Sequence, residues 1–131
     1  MRILDTDTCV EILRGNHAVV ERIACLEDHW ATTWITAGEL YFGAARSREP
    51  RANADRVTSF LDPLDVLGLD GTSAMLFGEM KALLLGRGER VEDADLMIGA
   101  IAAAREAVVV TGNRRHFDRM PGVLVQDLVR P

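Results

Sequence analysis

Four acidic residues each stand where an apolar run meets a helix start. Asp5 follows Ile3-Leu4, Glu39 follows Trp34-Ile35, and Asp93 and Asp95 precede Leu96-Met97-Ile98. In an open parallel α/β sheet, strand-to-helix junctions lie along one edge, the edge where ligands bind. Residues far apart in sequence then converge on one pocket. Crowded carboxylates raise one another's pKa unless a cation holds them. The pattern asks for a hard divalent ion, Mg²⁺ or Mn²⁺, which favours oxygen ligands.

Each position also has a plainer explanation. A carboxylate directly after buried aliphatics is costly unless paired or metal-bound, yet Asp5 could simply cap the next helix. Asp7 reads as a helix-start residue that orients its neighbours. Thr36-Ala37-Gly38-Glu39 has the form of a capping box, though a first-turn Glu39 still points at the strand-end edge. Glu92-Asp93-Ala94-Asp95 puts three acids at one helix N-terminus, where the macrodipole favours them. Two of the three could serve capping alone, and Asp95, set against Leu96, Ile98 and Gly99, is the one expected to face inward. Asn113, in Thr111-Gly112-Asn113, can bind a metal or a metal-bound water through its amide, or can simply be a turn residue. Arg114, Arg115, His116 and Arg119 follow. Such cations suit a phosphate backbone if the metal site is real, and a solvated loop if it is not. His116 alone signals nothing specific.

The elements that must position these groups alternate. Residues 2–5 read as a strand, and Thr8 with Glu11 as a capping box opening a helix through Leu13, ended by Gly15. Val19, Val20, Ile23 and Leu26 have helical spacing over 17–27. Strand 31–35, a helix from Thr36 to about Arg46, a helix over 53–61 and a strand around 66–69 follow. An apolar helix over 72–85 stops at Gly86 and Gly88. A helix from 93 to about 105 comes next, with Ala100, Ala102, Ala103 and Ala104 allowing close approach to the sheet. Strands 107–110 and 123–125 close the chain. Alternation of this kind gives a three-layer α/β/α sandwich around a mostly parallel central sheet.

At 131 residues, 1–131 forms a single domain with a real core. The composition, 48% hydrophobic and 27% charged, is that of a soluble globular protein rather than a membrane span or a disordered tail. Cys9 and Cys25 are too few for a disulfide framework. As reduced thiols among apolar neighbours, and with no signal-peptide pattern, they suggest a cytoplasmic protein with both thiols buried. A net charge of −5 argues at first against nucleic acid. Several of those negatives are the proposed metal ligands, so the distribution of charge matters more than its sum. Fourteen of fifteen basic residues are arginine, Lys81 being the exception. Arginine suits bidentate phosphate contacts, although a GC-rich genome produces the same bias.

Four blocks, in order, resemble the PIN-domain ribonucleases, in particular the VapC-like toxins of bacterial toxin–antitoxin pairs. They are Ile3-Leu4-Asp5-Thr6-Asp7, Thr36 to Ala44 around Glu39, Asp93 to Ala100 around Asp95, and Val110-Thr111-Gly112-Asn113 with His116-Phe117. The resemblance implies Asp5, Glu39 and Asp95 as ligands of Mg²⁺ or Mn²⁺, and hydrolysis of RNA by water activated at the metal. Asp93 or Asn113 would position water, and Thr6 and Thr111 would orient ligands or phosphate. Many relatives carry Asp where this chain has Asn113, which puts a second metal in question. The resemblance further implies single-stranded or loop RNA as substrate, a VapB-like antitoxin whose tail occludes the site, and a homodimer. Met75, Leu76, Phe77, Met80, Leu83, Leu84 and Tyr41-Phe42 are candidate partner surfaces, or ordinary core.

Three other readings compete. Asp5-Thr6-Asp7 is similar to the start of haloacid-dehalogenase-like phosphatases, but Glu39 has no role there. A receiver domain needs a phosphoacceptor Asp near the middle strand and a Lys after the last one, neither of which is present. A catalytically inactive PIN-like binding domain is compatible with Asn113.

Overall fold

A computed structural model describes residues 1–131. In chain order the elements are β1 (Arg2–Leu4), α1 (Thr6–Leu13), α2 (His17–Ala24), β2 (Trp30–Thr33), α3 (Trp34–Ala45) and α4 (Pro50–Leu61). They continue with β3 (Asp65–Leu67), α5 (Gly71–Gly86), α6 (Asp93–Ala104), β4 (Val108–Val110), α7 (Arg114–Phe117) and β5 (Leu124–Gln126).

The strands form one sheet in the order β3-β2-β1-β4-β5, every pair parallel. Side chains alternate across a pleated strand, and the core divides accordingly. Ile3 and Val109 join Leu84, Leu96, Ile98, Ile101 and Phe117 on the face covered by α5, α6 and α7. Leu4 and Val110 join Cys9, Leu40, Val57 and Leu61 on the face covered by α1, α3 and α4. Two apolar clusters on opposite faces of a parallel sheet make the expected three-layer sandwich.

Several local expectations change. The first helix begins at Thr6, not Thr8, and Asp5 is its N-cap. Thr8 is buried inside α1, where its hydroxyl donates to the Val110 carbonyl at 3.1 Å, so no Thr8–Glu11 capping box exists. The second strand stops at Thr33, whose hydroxyl accepts from Thr36 N–H at 3.1 Å. Trp34 and Ile35 are therefore already helical, Thr36 is an interior residue, and Glu39 lies well past the first turn. The capping explanation of Glu39 is thereby removed. The fourth helix starts at Pro50 in the first helical position, where its missing N–H costs nothing. The cationic stretch after Asn113 is not a loop: it forms α7, anchored by fully buried Phe117. Cys9 is buried, and burial pushes its thiol well up, but Cys25 is exposed, against the expectation for both thiols.

Helix α6 ends in a Schellman motif. Glu106 N–H donates to Ala103 O at 3.2 Å and Ala107 N–H to Ala102 O at 2.9 Å, with Glu106 at φ 53°. Glycine is usual in that left-handed position, and the helix ends within a residue of the expected boundary even without one. No helix is long and apolar enough to cross a membrane. Among the candidate partner surfaces, Met80 and Leu84 belong to the core, and Leu76 and Phe77 pack against it. Met75, Leu83 and Phe42 are exposed.

Candidate active site

The strand order reverses direction at β1, so the crevice at the carboxyl ends of β1 and β4 is the topological switch point where open α/β sheets bind ligands. Asp5 and Thr111 are the first residues past those two strand ends, and both are buried. Asp5 N–H extends the ladder to Val110 O at 2.9 Å, and Thr111 N–H reaches Gln126 O at 3.0 Å, so backbone bonds fix both positions.

Asp5 is 3% exposed. Its Oδ2 accepts from the Thr111 hydroxyl at 2.7 Å and its Oδ1 from Thr6 N–H at 2.8 Å. Neither partner is a cation. Burial, above all, pushes its carboxyl from the ordinary 3.8 up to about 7. The two hydrogen bonds act against that rise, while the carboxylates of Asp7 and Asp95 add to it. Asp7 from α1 and Asp95 from α6 thus both act on the charge of Asp5 at the end of β1.

The other candidates arrive by separate routes. Glu39 comes from α3 and is tied to the site through Thr6, whose hydroxyl donates to Glu39 Oε1 at 2.8 Å and lies 3.1 Å from Thr36 Oγ1. Asp95 Oδ2 is 2.7 Å from His116 Nδ1. Asp7 Oδ2 accepts from Gly112 N–H at 2.8 Å, and its Oδ1 accepts from Thr8 N–H at 2.7 Å. Asn113 N–H donates to Thr111 Oγ1 at 2.9 Å, and the residue is exposed. Asp93 is engaged elsewhere: it pairs with Lys81 Nζ at 2.9 Å, and no hydrogen bond links it to Asp5 or Asp95. Arg114 pairs with Asp118, the C-cap of α7, at 3.3 Å, and Arg115 is exposed beside it. A cavity of about 480 Å³ opens next to Thr6 and Glu39, with Val10, Leu13, Leu40 and Val57 among its apolar lining and Arg14 and Arg56 among its cations.

Sequence reading passed over His116. The available clue was Phe117, a lone large apolar residue in a cationic stretch. Such a residue demands an anchored turn, and an anchored turn gives its neighbour a fixed direction.

No three His, Cys, Asp or Glu side chains stand close enough to make a ready-made metal cage. Mg²⁺ seldom uses one: it is held by one or two carboxylates, keeps several waters, and completes its shell with substrate phosphate. A buried carboxylate whose only partners are neutral donors, with two further acids raising its pKa, is the donor set such an ion fits.

Thr111 is the neutral support of this arrangement. Thr111→Val keeps the shape but removes the donor to Asp5 and the acceptor for Asn113 N–H. It should cost about 1–3 kcal/mol, the penalty for stranding buried polar partners, read by urea unfolding.

The sequence and the fold both have counterparts among known proteins. Residues 2–123 match the PIN domain family. The tRNA(fMet)-specific endonuclease VapC of Salmonella typhimurium is 35% identical over 126 residues, covering 95% of this chain and 96% of that protein. The chain belongs to the PIN-domain family, as a VapC-type ribonuclease. Ribonuclease VapC2 of Haemophilus influenzae is 27% identical, covering 97% of each chain. The crystal structure of DNA-bound VapBC from Salmonella typhimurium contains a chain superposable with a TM-score of 0.90 at 34% identity, covering 97% of each chain. VapBC2 of Rickettsia felis, bound to a promoter DNA fragment, gives 0.85 at 25% identity, covering 96% of this chain and 97% of that one. Family membership displaces the phosphatase and receiver readings.

Proposed function

We propose that this PIN-domain ribonuclease is the toxin of a VapBC-type pair and cleaves RNA with Mg²⁺ or Mn²⁺ held by Asp5, Asp95 and Glu39. The observation that carries this is the buried, unneutralised Asp5 at the β1–β4 switch point, with Asp7 and Asp95 acting on its charge. When bound, the ion supplies charge to offset the phosphate under attack and lowers the pKa of a water.

The chain's own residues divide the remaining work. Asp5 and Asp95 present carboxylate oxygens from two different elements, and His116 fixes the rotamer of Asp95. Thr111 holds Asp5, and Thr6 holds Glu39. Asn113, exposed at the start of α7, offers an uncharged amide to the water or the phosphate. Arg114 and Arg115 contact the RNA backbone, a role that fixes position without reading sequence. Asp93, engaged by Lys81, contributes charge only at a distance.

The substrate class is exposed RNA, in single strands or loops, where the backbone is reachable. The first RNA to try is tRNA(fMet), after the Salmonella relative's name. The partner is a VapB-like antitoxin with an apolar segment, for which the cavity beside Thr6 is suited because its partly apolar lining includes Glu39 at one side of the site. A second copy of the chain is the other expected partner, through exposed apolar residues such as Phe42 and Met75.

The test is incubation of purified protein with tRNA(fMet) and with total RNA, in Mg²⁺, in Mn²⁺ and in EDTA, with fragment ends mapped. Discrete cuts made only with a divalent ion are expected. Uncut RNA in every condition, from folded protein, would favour an inactive PIN-like binding domain. Cuts that persist in EDTA would refute the metal requirement.

A further inference from the structure

The Thr111-Gly112-Asn113 segment is gripped at its middle from two sides. Asp7 Oδ2 accepts from Gly112 N–H at 2.8 Å, and Arg130 Nη2 donates to the Gly112 carbonyl at 2.9 Å. The fit is close. A Cβ at position 112 would stand 2.7 Å from Asp7 Oδ2, 3.2 Å from Arg130 Nη2 and 3.4 Å from Val129 Cβ. Gly112 is not among the glycines with positive φ. The approach of these two side chains, rather than backbone conformation, is what requires glycine here.

Arg130 is itself well placed. Asp127 Oδ1 accepts from the N–H groups of Val129 and Arg130 at 2.8 and 2.7 Å, closing a turn just after β5. Arg22 Nη1, from α2, donates to the carbonyls of Leu128 and Val129 at 2.9 and 3.1 Å. The final residues therefore form a strap laid over the end of β4, with the guanidinium of Arg130 as its buckle.

A peptide group is planar. The Gly112 C=O held by Arg130 and the Asn113 N–H held by Thr111 Oγ1 belong to one such plane, and the Gly112 N–H held by Asp7 belongs to the plane before it. Neither peptide is free to rotate, and the residues on either side inherit their orientation. On one side is Thr111, whose hydroxyl donates to buried Asp5 at 2.7 Å. On the other is Asn113, whose N–H donates back to Thr111 Oγ1 at 2.9 Å. We propose that Arg130, together with Asp7, is a positioning residue of the RNA-cleaving site: the clamp on the two successive peptide groups of Gly112 sets the direction in which Thr111 holds Asp5. This rests on the ribonuclease reading above. It gives the last residues of the chain a part in the reaction although none of them reaches the acids.

The test combines kinetics with amide hydrogen exchange. On an RNA cut by the wild type, Arg130→Ala should lower kcat about tenfold, in the range for loss of an outer-shell support. KM should stay within about twofold, the pattern of a group that acts on the transition state only. The melting temperature should hardly move, because Arg130 is exposed. Arg130→Lys, which still reaches the carbonyl with one donor, should recover most of the lost kcat. In substrate-free protein, the Gly112 and Asn113 amides should exchange faster in Arg130→Ala, while those of α6 stay protected.

Three results would overturn the proposal. One is an unchanged kcat in Arg130→Ala. Another is a raised KM at constant kcat, which would make Arg130 a phosphate contact. The third is unchanged exchange at Asn113, whose N–H lies in the peptide plane that Arg130 holds. Should the wild type cut no RNA at all, the ribonuclease reading has failed, and the exchange comparison alone then decides whether the clamp exists.

Discussion

Asp5→Asn should lose RNA cleavage by more than 100-fold and, at neutral pH without metal, should make the protein more stable. The two effects have one cause. Asp5 is buried, and burial pushes its carboxyl up to about 7. Keeping it ionised above that pH costs about 4 kcal/mol relative to an ordinary carboxyl, at about 1.4 kcal/mol per pH unit. Asparagine has the same shape and no charge. Its amide leaves one neighbour imperfectly matched, because both Thr111 O–H and Thr6 N–H donate to Asp5. The Thr111 hydroxyl can rotate to accept, so part of the gain survives, and the net change should be about 1–3 kcal/mol in favour of the variant. For a chain of this size that is several degrees in melting temperature. The loss of cleavage follows from removing a carboxylate proposed to bind the ion directly, where even outer-shell partners are worth about 10–100-fold. A variant less stable than the wild type in EDTA, or one that still cleaves, would contradict this account of Asp5.

The same group dictates how stability varies with pH. Its folded pKa, about 7, lies above its ordinary 3.8. The folded chain therefore holds the Asp5 proton more tightly than the unfolded chain does. The resulting stability is fully present below pH 3.8 and is lost as pH rises through about 7. Metal-free protein should lose about 4 kcal/mol of unfolding free energy from this source between pH 4 and 8. Asp28 and Asp70 behave oppositely. The N-terminal ammonium at Asp28, and the Ser73 amide at Asp70, hold those carboxyls below their usual range. Their contribution is present above 3.8 and is lost only as pH falls below it. Saturating Mn²⁺ should flatten the curve on the neutral side, since a bound cation favours the ionised carboxylate. Urea titrations at several pH values, in EDTA and in Mn²⁺, would check both statements. A metal-free curve that rises from pH 4 to 8, or one that Mn²⁺ leaves untouched, would refute them.

Much of this was legible in the sequence because it depends on one periodicity and one topological rule. Valine-rich 108–110, isoleucine and leucine at 3 and 4, and the apolar helix over 72–85 admit few alternatives. Parallel strands place their exits together, so Asp5 and Asp95 could be brought to one edge before any coordinates. The errors lie where local chemistry was ambiguous. Thr8 with Glu11 and Thr36 with Glu39 both satisfy the capping-box pattern, yet Asp5 and Thr33 are the true N-caps. Helix boundaries read from caps shift when two candidates stand three residues apart. Asp93 and Asp95 are both first-turn acids; apolar neighbours singled out Asp95 as the inward one, but the partners Lys81 for Asp93 and His116 for Asp95 could not be read. Neither partner is near in sequence. The Arg130 clamp left no trace at all, because a bond from one side chain to a distant backbone carbonyl has no sequence signature.

The most direct measurement is calorimetric titration of Mn²⁺ into metal-free wild-type protein, Asp5→Asn and Asp95→Asn, with cleavage of the same RNA followed in parallel. Saturable binding by the wild type, lost in both variants together with cleavage while both remain folded, is the expected result. Undiminished Mn²⁺ binding in both variants would place the ion elsewhere and contradict the carboxylate site at the β1–β4 edge.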